Sequence, residues 1–343
     1  MRDLVVVGGG PVGLAAALYA ARAGLDVVVH EPRPAPVDKA CGEGLMPGAV
    51  ADLDALGIPL PGHPLMGIRY VENGRSVDAP FKSGPGRGVR RTALHAALSD
   101  AVTREGVAVE RRTVRTLTQD EHVVRVDGEP ARHVLAADGL HSPVRRMLGL
   151  EAGRRGRRSR RRFGLRRHVA TAPWTPFVEV HWSPRAEAYV TPVADDCVGV
   201  ALLVDEGGDY DDLLADLPAL GERLAGAPAT RVLGAGPLRQ RSRRRVAGRV
   251  LLVGDAAGYV DALTGEGIAL GLAQARAAVA AVRAGNPAAY ERSWQRLSWR
   301  HNLLTHGVLA ASGRPPLRRR LVPAAQAAPW LFRAAVNELA RPA

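Results

Sequence analysis

Short β-branched runs alternate with alanine-rich stretches at helical spacing, and the opening of the chain sets this rhythm. Residues 3–8 are an apolar run, residues 11–23 place alanine and leucine at helical intervals, and residues 26–31 (DVVVHE) are apolar again and end in an acid. Continuous apolar runs of this length suit parallel strands covered on both faces, so the pattern predicts strand, helix, strand: a βαβ unit. Residues 32–48 are rich in proline and glycine. They read as a loop at the carboxyl end of the second strand, where open α/β sheets bind ligands.

The pattern then changes. GIRYVENGRSVDAPF alternates apolar and polar residues around Asn73-Gly74, a dipeptide favoured in tight turns, which predicts an antiparallel hairpin outside the parallel sheet. TALHAALSDAVTREG has helical periodicity, VAVERRTVRTLTQDEHVVRVDG supplies short strands, and VLAADG at 134–139 reads as a buried strand entering a turn. Residues 153–167 (GRRGRRSRRRFGLRR) have no apolar face and read as a solvated connector. From 163 to 205, strand-like pieces predict an antiparallel second layer, followed by the helical DYDDLLADLPALGERLAG. RVLLVGDAAG at 249–258 repeats the strand-into-glycine theme, and 265–284 is an alanine-rich helix. The tail reads as helices broken at Gly313-Arg314-Pro315-Pro316 and at Pro323. Its last piece, PWLFRAAVNELA, has an apolar face that reads as packing on the protein, with peripheral membrane contact as the alternative.

The expected organisation is an α/β protein. A three-layer, parallel-sheet, Rossmann-type domain is built from residues 1–62, 85–152 and 246–285. It interleaves with an antiparallel-sheet substrate domain, made of the hairpin 63–84 and residues 153–245, and is followed by a helical region at 286–343.

Composition narrows the classes. A chain of 343 residues can bury a large core, no window approaches eighteen uninterrupted apolar residues, and the start runs into a glycine-rich turn instead of a cleavage site. A cytoplasmic protein with no transmembrane segment is expected. Cys41 and Cys197 are too few for a disulfide framework and too isolated for a zinc set, so no metal is expected. The net charge of +13 would suggest nucleic acid, but every basic residue except Lys39 and Lys82 is arginine. Beside the heavy use of alanine, glycine and proline, this reads as coding bias, and no nucleic-acid partner is expected.

Gly8, Gly10 and Gly13 form G-x-G-x-x-G between the first strand and helix. The first allows the tight turn, the second lets the backbone approach a pyrophosphate, and the third lets the helix sit close on the strand. The helix that opens with Pro11 and Val12 offers free N–H groups and a positive dipole end to the phosphates. Glu31, at the end of the second strand, stands where a carboxylate accepts ribose hydroxyls and disfavours a 2′-phosphate. A dinucleotide is expected here.

VVVGGGPVGLAAA, AADGLHSPVRR at 136–146 and VLLVGDAAGYVDALTGEGIALGLAQA at 250–275 occur in this order. Together they resemble the flavoprotein superfamily of aromatic hydroxylases, flavin-dependent halogenases and geranylgeranyl reductases. The resemblance implies FAD, with Asp255 on its ribityl chain, Asp138 and Gly139 closing the pyrophosphate region, and Thr264, Gly265, Glu266, Gly267 and Ile268 along the flavin edge. It also implies an arginine over the pyrophosphate, Arg91 or its rival Arg90, and adds Arg33, Lys39, Cys41 and Gly42 as cofactor contacts. Met46, His181, Tyr189 and Pro192 are the substrate candidates. KACGEGLMP and DALTGEGI are closest to the reductase and halogenase branches, although Ala262 replaces a usual proline and the Tyr189–Pro192 stretch lacks the reductase branch's tryptophan.

The expected activity is an NAD(P)H-dependent monooxygenase acting on a phenolic, polyketide or other apolar small molecule through a flavin hydroperoxide. NAD(P)H docks transiently, because no second glycine motif exists for it. The alternative is a C=C reductase of the geranylgeranyl reductase type. A basic anion-binding module without turnover is a third reading.

Overall fold

The computed structural model describes residues 1–152, 161–205, 207–263 and 265–341. Its main sheet has a parallel core in the spatial order Val250–Leu252, Glu129–Ala136, Arg2–Val7, Val27–His30 and Ala108–Glu110. Short antiparallel strands, Val246–Ala247, Val124–Val126 and Leu117–Gln119, extend it. The predicted βαβ opening is present, with Pro11–Arg22 as its helix.

That helix packs against Gly267–Arg283. Both are rich in alanine on the contact side, and small residues let the axes approach closely. At the closest point a side chain on Gly271 would meet Val12 Cγ2 at 2.4 Å. Val12 therefore serves packing as well as the turn.

The second sheet runs Leu233–Ala235, Phe163–Val169, Cys197–Val204, Ala186–Ala194, Phe177–Trp182, Gly67–Glu72 and Arg75–Pro80. The hairpin around Asn73-Gly74 is its edge, with φ of 49° and 75° at the two turn residues. One pair departs from the expected antiparallel pattern: Phe177–Trp182 lies parallel to Gly67–Glu72, because the hairpin arrives from a distant part of the chain. A three-stranded sheet (Gly44–Leu45, Gly86–Gly88, His63–Leu65) packs on Ala186–Ala194 of the second sheet and on the helix Pro47–Ala55. Gly88 makes the join, since a side chain there would sit 1.7 Å from the Pro192 carbonyl oxygen.

Two expectations need correction. The arginine run was expected to be solvated; residues 153–160 lie outside the described residues, but Arg162 and Arg166 are buried. Carboxylates from remote segments neutralise them, as shown below. The break expected at Pro323 falls just before it, at Arg319-Arg320: Pro323 itself sits in the first turn of Leu321–Ala327, where a missing N–H costs nothing, and a further break falls at Ala328. No helix among the described residues is long and apolar enough to cross a membrane.

Candidate functional site

The glycine turn has the shape its residues require. Gly8 has φ of 104°, and a side chain there would lie 2.5 Å from the Ala137 carbonyl oxygen. At Gly13 it would lie 1.8 Å from the oxygen of Gly8, so the helix rests directly on the turn. Gly10 is open, its nearest neighbour being the Arg91 guanidinium, with Nη2 3.7 Å from where a side chain would begin. The helix starting at Pro11 has no side-chain cap, which leaves its first N–H groups free for an anion.

Arg91 and Arg90 separate cleanly. Arg91 reaches over Gly10, whereas Arg90 turns to the second sheet and points Nη2 at His168 Nδ1, 3.5 Å away. Arg91→Ala is expected to weaken FAD binding on the order of tenfold or more, the scale of a charge-assisted contact. Arg90→Ala is expected to leave it within about threefold. Fluorescence titration of apoprotein with FAD measures both, and the reverse ranking contradicts the geometry.

Glu31 is buried, and its carboxylate accepts N–H groups from Gly9 (2.8 Å) and Arg33 (3.0 Å) and the Arg33 guanidinium (2.7 and 3.0 Å). Burial pushes its pKa up, and these hydrogen bonds outweigh that, so it is held below the ordinary value. Arg33 thus covers the carboxylate expected to meet ribose, and its half-exposed guanidinium is the part free to swing away. Sequence reading missed His95, whose Nε2–H donates to the Gly9 carbonyl at 2.9 Å while Ser99 donates to Nδ1.

The middle motif meets the GD turn through another unforeseen residue. Arg145 is fully buried and donates to the carbonyls of Leu140 (2.8 Å) and Ala256 (3.0 Å), tying the Asp138-Gly139 turn to Asp255. Asp138 Oδ2 accepts the Val144 N–H at 3.0 Å, while its Oδ1 is buried without a partner. Lys39 reaches the same turn, with Nζ 3.4 Å from where a Gly139 side chain would begin.

Gly265 lies against Met46, whose methyl is 3.5 Å from its would-be side chain, so the two loops singled out in sequence meet. Thr264 lies outside the described residues. Glu266 precedes the uncapped helix opened by Gly267 and Ile268; it accepts from His301 Nδ1 at 3.0 Å, and its Oε1 is buried without a partner. Burial raises its carboxyl pKa, opposed by His301. The open Gly10, the free helix starts and the orphaned oxygens of Asp138 and Glu266 fit a bound dinucleotide with an isoalloxazine at the Gly265 turn.

Between the loop and the second sheet lies a buried ion cluster built on Glu43, which has a left-handed φ of 59°. Its Oε1 accepts the Arg91 N–H (2.8 Å) and its Oε2 accepts His168 Nε2–H (2.6 Å). His168 Nδ1 in turn accepts from Arg166 Nη1 (3.2 Å), and Arg166 Nη2 donates to Asp38 (2.6 Å). Cys41 Sγ accepts the Glu43 N–H at 3.4 Å, and the Gly42 carbonyl accepts the Thr191 hydroxyl at 2.9 Å.

The substrate candidates divide. Tyr189 donates to the Leu263 carbonyl at 3.1 Å and faces the site, whereas Pro192, three residues along the same strand, points to the opposite face and meets Gly88 only through its carbonyl oxygen. His181 is held by Glu179 at 3.0 Å, in a cluster with Trp174 and Arg69 away from that loop. Beside Tyr189, buried Arg162 bridges Glu187 (2.8 Å) and Asp261 (3.3 Å). Burial pushes the Asp261 carboxyl to about 6, with Arg162 opposing and Glu187 adding. Because the folded state holds this proton more tightly than the unfolded chain, the stability it confers is complete below the ordinary value and is lost as pH rises through about 6. The stability of Asp261→Asn relative to the natural chain is therefore expected to rise by about 3 kcal/mol between about pH 4 and pH 7. Urea unfolding across that range measures it, and a flat difference contradicts it.

Residues 1–195 match the family model of the FAD binding domain. The chain belongs to that family, and it is an FAD-dependent oxidoreductase. It is 32% identical over 343 aligned residues to the Menaquinone reductase of Mycolicibacterium smegmatis, covering 87% of this chain and 80% of that protein. It is 29% identical over 298 residues to Digeranylgeranylglycerophospholipid reductase 1 of Methanothermobacter thermautotrophicus, covering 79% and 74%. A solved flavin-dependent brominase superposes with a TM-score of 0.80 at 16% identity, covering 99% of this chain and 95% of that one, a likeness of fold alone.

Proposed function

We propose that this protein reduces a carbon–carbon double bond in the isoprenoid part of a lipid. The observation that carries the reading is the contact between the Cys41–Met46 loop and the Gly265–Glu266 turn, in a chain with long matches to two proteins named as reductases. This reading takes precedence over the monooxygenase expectation because the matches to menaquinone and digeranylgeranylglycerophospholipid reductases support it better.

Saturation adds two electrons and two protons across the double bond, and FAD, when bound, supplies the two-electron chemistry. The remaining work falls to the chain. The glycine turn, Arg91 and the Asp138-Gly139 turn hold the phosphates, and Asp255 and the Gly265–Glu266 turn hold the ribityl–flavin end. Met46 and Tyr189 line the approach and exclude water. In this reading Cys41, whose sulfur accepts the Glu43 N–H, would give a proton to substrate carbon through its Sγ–H. NAD(P)H docking transiently, or an external donor, restores the electrons.

Reduced enzyme mixed anaerobically with a prenylated lipid that carries no quinone ring is expected to return to the oxidised flavin spectrum without oxygen, with one isoprene double bond of the lipid saturated. Reoxidation that waits for oxygen, with substrate hydroxylated, favours the monooxygenase and sinks the reductase.

A further inference from the structure

We propose that the C-terminal helices form a docking face for an anionic lipid bilayer. The helix Ala289–Ser312 turns His301 inward to Glu266. Trp299 and Leu303 stand two residues to either side of it, which at 100° per residue places them on the opposite face. They are 54% and 64% exposed.

The helix Pro329–Leu339 is also two-faced. Phe332, Arg333 and Asn337 dock on the hairpin, through Tyr70 and the carbonyls of Asp78 and Pro80. Leu331, 56% exposed, lies on the opposite face with Glu338, and Trp330, 71% exposed, projects from the first turn of the helix at the edge of the docked side. Glu338 accepts from Arg300 at 2.8 Å, and the Arg300 guanidinium lies 5.3 Å from the Trp299 ring, so one ion pair joins the two helices beside an exposed aromatic.

Charge identifies what covers this face. From residue 286 to 341 there are nine arginines (292, 296, 300, 314, 318, 319, 320, 333 and 341) and two acids, Glu291 and Glu338. That is +7 of the chain's +13. The side chains of Arg292, Arg314, Arg319 and Arg320 have no carboxylate partner among the described residues. Exposed tryptophan and leucine within an arginine field match an interface of anionic headgroups over acyl chains. A protein partner would bury such rings against a surface of its own, and a soluble polyanion has no use for them.

The inner sides of the same helices hold the site: His301 grips Glu266, and Gly48 N–H donates to the Ala340 carbonyl at 3.1 Å. The face therefore lies directly outside the Gly265–Met46 contact. That it delivers a membrane-dissolved substrate rests on the reductase reading; that it binds the bilayer does not.

The test is flotation of the FAD-loaded protein with vesicles of phosphatidylcholine alone or mixed with phosphatidylglycerol. Binding only to the mixed vesicles, weakening with salt, is expected, together with quenching of tryptophan emission by brominated lipid. Trp299→Ser with Leu303→Ser, Trp330→Ser with Leu331→Ser, and Arg292, Arg314, Arg319 and Arg320 all changed to Gln are each expected to lower binding about tenfold while FAD content stays unchanged. Equal binding to neutral vesicles, no loss in the variants, unquenched emission, tighter binding to heparin than to vesicles, or a dimer that the serine variants dissociate would each overturn it. Because no turnover is measured, failure of the reductase reading leaves this result intact.

Discussion

Gly13→Ala is expected to yield a protein that no longer retains FAD and is less stable by on the order of 3 kcal/mol. The new methyl carbon would sit 1.8 Å from the Gly8 carbonyl oxygen and 3.2 Å from Ala137 Cβ. The first of these contacts is backbone, so no side-chain rotation relieves it. The helix must lift off the turn, which removes its free N–H groups from the phosphates and loosens the seam where Val12 packs on Gly271 and Gly254. Gly221→Ala is the control: it lies in the helix Pro218–Leu224 with nothing near the added carbon. Alanine there is expected to be neutral or stabilising by up to about 1 kcal/mol. Urea unfolding and flavin absorbance of the purified proteins measure both effects. A Gly13→Ala protein as yellow and as stable as the natural one contradicts the packing argument.

Glu43→Ala is expected to be as damaging by a different route. The substitution strands the Arg91 N–H and His168 Nε2–H inside the protein and removes the carboxylate 3.7 Å from the buried Arg166 guanidinium. Breaking a buried ion pair on one side costs about 3–5 kcal/mol, mostly through the charge left behind. Backbone conformation supplies a finer check. With φ at 59°, Glu43 occupies the left-handed region, where glycine is relaxed and alanine is not. Glu43→Gly is therefore expected to be less destabilised than Glu43→Ala by about 1 kcal/mol, although it lacks the same carboxylate. If both variants unfold with the natural chain, the cluster contributes no net stability.

The parts legible in the sequence were those with local causes. Apolar runs of the right length gave the parallel strands, Asn73-Gly74 gave the hairpin, and the spacing of Gly8, Gly10 and Gly13 gave the phosphate turn. Each depends on residues within one turn or strand of one another. The parts that escaped depend on partners far along the chain. Arg162 and Arg166 looked solvated because their own neighbours are arginines, yet Glu187, Asp261, Asp38 and Glu43 neutralise them from other segments. Arg145 lay inside a recognised motif, but its role as a tie to Ala256 spans 111 residues. Glu43 stood in the same loop as Cys41 and passed unnoticed, since a left-handed backbone at glutamate has no sequence signature. The side chains of Arg90 and Arg91 part because the helix starts between them and sends adjacent residues to different faces, which no local pattern in the sequence announces.

The most direct measurement of the central claim is the mass of the product formed from a prenylated quinone by the reduced, FAD-loaded protein. A product heavier than the substrate by two hydrogens, with one isoprene double bond gone, is the outcome this account predicts. A product heavier by one oxygen atom, with every double bond in place, would contradict it.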